Sequence, residues 1–357
     1  MNIIQNSSYT KLIAFFLILV SLLSVLVVSA QGWQIDDNNS GTNNSAGNNS
    51  VGKDNDFNKE DTITEKFYHH ITGLEIFQQL PGYEQVAYVI DTSSPLCGIA
   101  GCNVLVEFPL ENARTRFLMI TDKNANLTKI GSITYTRHYI SNIAKAFGAT
   151  IISLGNDDTV SYNHIDMTKN TVDLYGDKSL YYTEYTYFSY TNNKILESIL
   201  TEKDNVDDSP VELPYIISKN NQSNEFEISA NKITLPYNCI TELTYQSDDQ
   251  CYVLSKMGSD NIDVSTQEKV TFNNVLILFA DSLTYETSDS TQMVINTMSQ
   301  GLGYYATNGV ARSIVWNMDE DGQLTFLNEN GEILSVTSGN FYIGYVKSSK
   351  SNNEFFS

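Results

Sequence analysis

The 357-residue chain is 41% hydrophobic and carries a formal net charge of −21, with Asp and Glu outnumbering Lys and Arg by 42 to 21. That length holds about two average domains once a non-globular start is set aside, and the apolar content suffices for packed cores. The acidity excludes nucleic acid as a partner, because phosphate binding runs on clustered Lys and Arg, and no basic run here exceeds two residues; the charge reads instead as solvated surface and acidic linkers.

The first element is Leu12 to Ala30, LIAFFLILVSLLSVLVVSA, a charge-free run behind Lys11. It fits a secretory signal peptide with Val28 and Ala30 at the −3 and −1 positions, cleaved before Gln31. It also fits a membrane span, since about 20 apolar residues cross the hydrocarbon core. Its length, beyond the roughly 7–15 residues usual for a signal h-region, favours a retained anchor. With Lys11 on the cytoplasmic side, the rest of the chain is expected to be extracytoplasmic. Residues 31–65 are rich in Asn, Ser, Gly and Asp and nearly devoid of large apolar residues. Such a segment cannot offset its chain entropy and is expected to be a disordered tether.

An N-terminal domain is expected over 66–205. Val86–Asp91 (VAYVID), Val104–Phe108 (VLVEF) and Thr115–Thr121 (TRFLMIT) read as strands, with Lys129–Tyr135 as a fourth. Apolar Tyr139, Ile140, Ile143, Ala144 and Phe147 recur at helical spacing, with Gly148 suited to end the helix. Ala149–Leu154 follows as a strand, so strand–helix–strand points to a parallel pair in a mixed sheet. Lys194–Leu200 is a short helix capped by Thr191 or Asn192. The acidic, proline-containing stretch to Pro214 supplies a linker at 206–214. The C-terminal domain, 215–347, is mainly β: Glu225–Pro236 alternates on both sides of Asn231 as a hairpin would. Ile240–Tyr245 and Cys251–Lys256 form another hairpin, Val275–Ala280 is a central buried strand, and Asn340–Lys347 closes a roll or small barrel. Residues 348–357 are polar and expected to fray. The fold class is thus α+β, a mixed α/β sheet domain followed by a β-rich one.

Cys97, Cys102, Cys239 and Cys251 all fall in the exported part. An even count in an oxidising compartment suggests two disulfides, Cys97–Cys102 across the glycine-flanked CGIAGC loop and Cys239–Cys251 by elimination. The second pair sits awkwardly, because a hairpin turning at Asp248-Asp249 places Cys251 opposite about Tyr245. The CxxxxC and Cx11C spacings do not suit zinc or redox motifs.

These segments carry a resemblance to the YerB-like family of bacterial exported lipoproteins, a domain of unknown function with N- and C-terminal parts. VAYVID resembles the family's VAVMIDN strand, CGIAGCNVLVE its SGLxxADIVYE segment, ARTRF (Ala113–Phe117) its GITRF, and GSITYTRHY (Gly131–Tyr139) its GPVRSARPY. IDVSTQEKVTFNNVLIL, GLGYYATNGVARSIVW and LTFLNENGEILSVTSGNFYIGYV resemble the C-terminal part's signatures, the second being its G-x-G-x-x-x-x-NGKxxxxxW pattern. The departures thin the polar residues: ARPQ becomes SSPL, the first Arg of RSAR is Thr134, PHN falls in TEYTYFSY, and PHxD becomes Asp260-Asn261-Ile262-Asp263 without its histidine. No lipobox cysteine follows the hydrophobic run.

The polar cluster retained under this resemblance is Glu107, Arg114, Arg116 and Arg137, with Asp263 from the second part. Glu107 lies among apolar residues and needs a cation; Arg116, on the next strand, is the candidate. Such a site grips a carboxylate or sugar; the bland reading is a structural ion pair at a sheet end. No cofactor or metal is expected. The NMDEDG loop begins like an EF-hand but has Asn328 where position 12 needs Glu, and so reads as an Asp-Gly hairpin turn. His69, His70, His138 and His164 show no ligand spacing. No GxSxG elbow or Gly-rich phosphate loop occurs. The sequence therefore predicts a membrane-tethered envelope protein that binds a partner protein or cell-wall polymer. The competing expectation is an enzyme on envelope polymers, which requires Glu107, Arg116, Arg137 and Asp263 to converge on one pocket.

Overall fold

The computed structural model describes residues 66–79, 82–111, 114–155, 171–202, 211–218, 228–286, 291–351 and 354–357. The hydrophobic segment, the tether, His164 and residues 206–210 of the linker lie outside the described residues. Among the described residues, no helix is long and apolar enough to cross a membrane.

The frame is a 14-stranded sheet. Its central strands, in chain order, are β1 (Gln85–Asp91), β2 (Val104–Pro109), β3 (Thr115–Asp122), β4 (Asn274–Ala280), β5 (Gln300–Thr307), β6 (Val310–Met318) and β7 (Phe341–Lys347). In space they run β6-β5-β4-β7-β2-β3-β1. Strand β7 lies between β2 and β4 and is parallel to both, with Gly344 opposite Glu107 on one side and Ile277 on the other. The last strand of the chain thereby joins the N- and C-terminal halves in one ladder.

Both faces of this sheet are covered, which is why its strands read as continuous apolar runs rather than alternating ones. The period-2 geometry still divides each strand between two cores. Ala87, Val89, Val106, Phe108, Leu118, Ile120, Leu276, Leu278, Ile343 and Tyr345 face one core. Val86, Tyr88, Ile90, Leu105, Phe117, Met119, Val275, Ile277 and Tyr342 face the other. Helix α1 (His138–Ala146) covers the first face with Tyr139, Ile140, Ile143 and Ala144, the side chains its helical spacing singles out. Strand Ala149–Ser153 then returns parallel to β1, as expected of strand–helix–strand. The second face carries helix α2 (Asn193–Glu202), whose Leu196 and Leu200 enter the core; the Asn192 side chain caps it by accepting the Ile195 N–H at 2.9 Å. That face is also roofed by a five-stranded sheet that includes Lys232–Leu235, Thr241–Gln246 and Cys251–Lys256. The molecule is α+β and rich in strands, with two helices described.

The hairpin β5–β6 shows why its glycines are there. A Cβ on Gly301 or Gly303 would lie 2.3 Å from the Phe279 carbonyl oxygen or 2.4 Å from that of Ile277. Strand β4 therefore approaches closely only because these positions lack a side chain. Asn308 and Gly309, both at positive φ, make the expected two-residue turn. Trp316 is fully buried and donates its indole N–H to Phe279 O at 3.0 Å.

Three expectations are corrected. The Glu225–Pro236 hairpin does not form: Ile228–Ser229 pairs with β6, whereas Lys232–Leu235 pairs with Thr241–Thr244. The described residues of the C-terminal tail do not fray. Ser357 exchanges two backbone hydrogen bonds with Lys232, Thr234 donates to Phe355 O at 2.8 Å, and Phe355 is buried. An unpaired sheet edge captures the tail. The disulfides are not formed; all four cysteines are free. Cys97 is tied by two backbone hydrogen bonds to Gly131, while Cys102 ends the 3-10 turn Ile99–Gly101 and sits in the core. Cys251 lies opposite Gln246, and roughly 17 Å of strand separates that position from Thr241, just after Cys239. A disulfide spans less than about 7 Å between Cα atoms.

Candidate functional site

Glu107 is completely buried on β2. Its partner is Lys256, not Arg116: the ammonium lies 2.5 Å from Oε1. Lys256 also donates to Thr115 Oγ1 at 2.6 Å, and its Nζ lies 5.0 Å from the centre of the Phe117 ring. The Thr241 hydroxyl donates to both carboxylate oxygens, at 3.1 and 3.3 Å, and the Tyr342 phenol donates to Oε2 at 2.5 Å. Burial, then the Glu107 charge, pushes the phenols of Tyr237 and Tyr342 well above the ordinary range, so both remain donors. Every oxygen of this carboxylate is engaged, and the cluster pins the five-stranded sheet onto the central one. Register explains why Arg116 is excluded. Arg116 opposes Phe108, and Glu107 opposes Phe117, so the two charges point to opposite faces. Arg116 is buried with its guanidinium 4.0 Å over the Tyr135 ring.

Arg137, also buried, holds Glu111 through two bonds of 2.9 and 2.6 Å, with a third to Met293 O at 3.0 Å. It shares the surroundings of the Tyr139 phenol with Arg116: burial raises that phenol's pKa, and both guanidinium charges oppose the rise. Burial raises the Glu111 carboxyl, but the Arg137 bonds and charge and the Met293 N–H more than offset it and hold it at about 2. Asp263 is also fully buried. It accepts the Ala100 N–H at 3.0 Å and the backbone and hydroxyl of Ser265 at 2.9 and 2.5 Å, fastening the CGIAGC turn to the C-terminal half. Glu107, Arg116, Arg137 and Asp263 therefore do not converge on one pocket: Arg116 and Arg137 are neighbours beside Tyr139, while Glu107 points to the opposite face of the sheet and Asp263 lies at the CGIAGC turn. Glu107, Arg137 and Asp263 hold parts of the frame together, each in its own place.

The histidine that sequence reasoning set aside is a satisfied one. His69 Nδ1 accepts the N–H groups of Ile71 and Thr72 at 3.2 Å, which leaves Nε2–H to face Asp122 at 2.9 Å. His70 stacks on it, ring centres 5.1 Å apart. Burial, then the neighbouring His69, lowers His70 to about 4 against an opposing pull from Asp122. The NMDEDG loop is a turn, Asp319 accepting the N–H groups of Asp321 and Gln323. Among the described residues, no cluster of His, Cys, Asp and Glu could hold a metal.

Two concavities stand out among the described residues. A groove of about 610 Å³ is lined by Glu84, Lys123, Lys194 and Glu197 among others, and a 2.7 Å Glu84–Lys123 pair stands in its wall. Charges of both signs cancel there. The second is a cleft of about 90 Å³ lined by Pro109, Leu110, Arg114, Pro236, Tyr237, Asn238, Val346, Lys347 and Lys350. It lies at the carboxyl ends of the parallel neighbours β2 and β7, where the two halves of the chain meet. Open sheets favour that kind of place for ligands. Arg114 is the one predicted residue found there. Lys347 ends a strand that reads only as scaffold, and Lys350 sits in the polar stretch expected to fray, so neither is singled out by the sequence; only the tertiary packing brings them to Arg114.

Comparison with known families accords with this frame. Residues 72–211 match the model described as "Protein of unknown function (DUF3048) N-terminal domain", and residues 232–343 match its C-terminal domain. No curated protein matches the chain. The crystal structure of YerB protein from Bacillus subtilis superposes with a TM-score of 0.66 at 20% identity, covering 79% of this chain and 97% of that one. The likeness at that identity concerns the fold. With both domain models matched in order over most of its length, the chain belongs to the DUF3048, YerB-like family.

Proposed function

We propose that this protein is a membrane-tethered, extracytoplasmic component of the cell envelope that binds a cell-wall polymer. The observation that carries the reading is the cleft at the junction of the two halves, which gathers Arg114, Lys347 and Lys350 with no carboxylate among its described lining residues. In a chain whose acids outnumber bases two to one, that local reversal favours an anionic partner. The hydrophobic run Leu12–Ala30 and the Asn/Ser-rich stretch after it support a tether that presents this face outside the membrane. A partner protein is the second occupant the sequence suggests. Glu107 and Asp263 lie apart from Arg116 and Arg137, so the convergence an enzymatic reading needs has no support and catalysis is not proposed. The test is cosedimentation of the detergent-solubilised full-length chain with isolated walls. Retention that salt abolishes is expected. No retention at low salt overturns the reading, and protease protection of the chain in intact cells overturns the compartment.

A further inference from the structure

We infer that the cleft between Pro109–Leu110 and Lys347–Lys350 is a binding site for a single phosphate group, free or esterified. Its volume, about 90 Å³, is well below the roughly 300 Å³ at which small-molecule pockets begin, so it admits one compact group and not a nucleotide or sugar ring. Three of its nine lining residues are cationic and none is acidic. Arg114 is exposed and Lys347 half-exposed, and neither forms an ion pair among the described residues. Lys350 is already positioned: its ammonium donates to Pro236 O at 2.7 Å, fixing it on the rim with further N–H groups to offer. Tyr237 contributes a wall rather than a donor, because its hydroxyl is spent on Tyr345 O at 2.9 Å. Proline and aliphatic side chains complete the wall, and a low-dielectric lining strengthens charge-assisted bonds to an oxyanion. Three cationic residues lining one small volume favour the more highly charged phosphate over a carboxylate. Each cation comes from a different segment: Arg114 from the residue before β3, Lys347 from the end of β7 and Lys350 from the turn after it. The arrangement exists only when both halves are docked. The inference rests on the polymer-binding reading for the source of the phosphate, not for the chemistry of the cleft.

The test is binding of inorganic phosphate to the full-length chain in detergent, followed by phosphorus NMR line broadening, with acetate as the carboxylate comparator. Saturable phosphate binding is expected, with acetate weaker. Arg114→Gln combined with Lys347→Gln should weaken it on the order of tenfold or more, while Lys194→Gln in the other groove leaves it unchanged. Arg114→Lys, which keeps the charge, separates loss of the site from loss of the fold and should retain part of the binding. Equal binding by the double variant, or no saturable binding by the native chain, overturns the assignment. Poly(glycerol phosphate) and phosphatidylglycerol vesicles, added as competitors, identify the source. Competition by vesicles alone keeps the phosphate site but overturns the polymer reading. Wall retention that survives in the double variant keeps the polymer reading and overturns the cleft.

Discussion

Replacing Glu107 by Gln tests the junction between the halves most directly. Glu107 is fully buried, and the side chain of Lys256 is only 12% exposed. The amide keeps the shape and one acceptor oxygen for the Tyr342 and Thr241 hydroxyls but cannot pair with the ammonium. Lys256 is then left nearly dry, with Thr115 Oγ1 as its remaining recorded hydrogen-bond partner. Removing one partner of a buried ion pair costs about 3–5 kcal/mol, because the other charge stays uncompensated. At a shift of about 2–4 °C per kcal/mol for a unit somewhat smaller than this one, the melting temperature should fall by on the order of 10 °C. The assay is urea denaturation followed by Trp fluorescence. Of the two tryptophans, Trp316 is completely buried beside strand β4 and reports the folding of the frame. Glu107→Leu with Lys256→Met removes both charges and should recover part of the loss, the remainder reflecting the Thr241 and Tyr342 hydroxyls left without their carboxylate acceptor. A Glu107→Gln variant within about 1 kcal/mol of the native chain would refute the argument that this pair is desolvated.

The Glu111 carboxyl is held at about 2, below its ordinary 4.5. A depressed folded pKa contributes stability that is complete above the unfolded value and lost as pH falls through the folded one. Acid titration should therefore erode stability between about pH 4.5 and 2, and Arg137→Met should remove that limb from the stability–pH curve. His70, lowered to about 4, works in the same direction: below 6.5 the unfolded chain takes up a proton that the folded chain refuses, so stability falls until pH reaches about 4. Proton NMR of the imidazoles reads this directly, and a normal titration near 6.5 would contradict it. Thiol titration of the unreduced, denatured chain should find four reactive cysteines. In the native state Cys239 and Cys251 should react first, since burial excludes reagent from Cys97 and pushes Cys102 up to about 12. Finding no free thiol would restore the two disulfides. Gly303→Ala should cost about 1–3 kcal/mol in the same urea assay, because its Cβ meets backbone and strands β4 and β5 must part.

What the sequence determines by itself is local. Short apolar runs such as VAYVID and NVLILFA, the helical spacing of Tyr139 to Phe147, the Asn192 cap and the Asn308-Gly309 turn are each legible within a few residues. The tertiary structure decided everything that depends on register and on distant chain. A strand pattern states that Glu107 and Arg116 alternate with their neighbours, but not which residues oppose each other. The pairing of Arg116 with Phe108 put Arg116 on the wrong face and gave Glu107 a lysine 149 positions away. The placement of β7 between β2 and β4 is likewise unwritten in any segment, since parallel neighbours share no turn that would fix them. The same strand carries Lys347 to Arg114. The basic cleft is a product of that closure, and a sequence that disperses its three cations over more than 200 positions gives no sign of it.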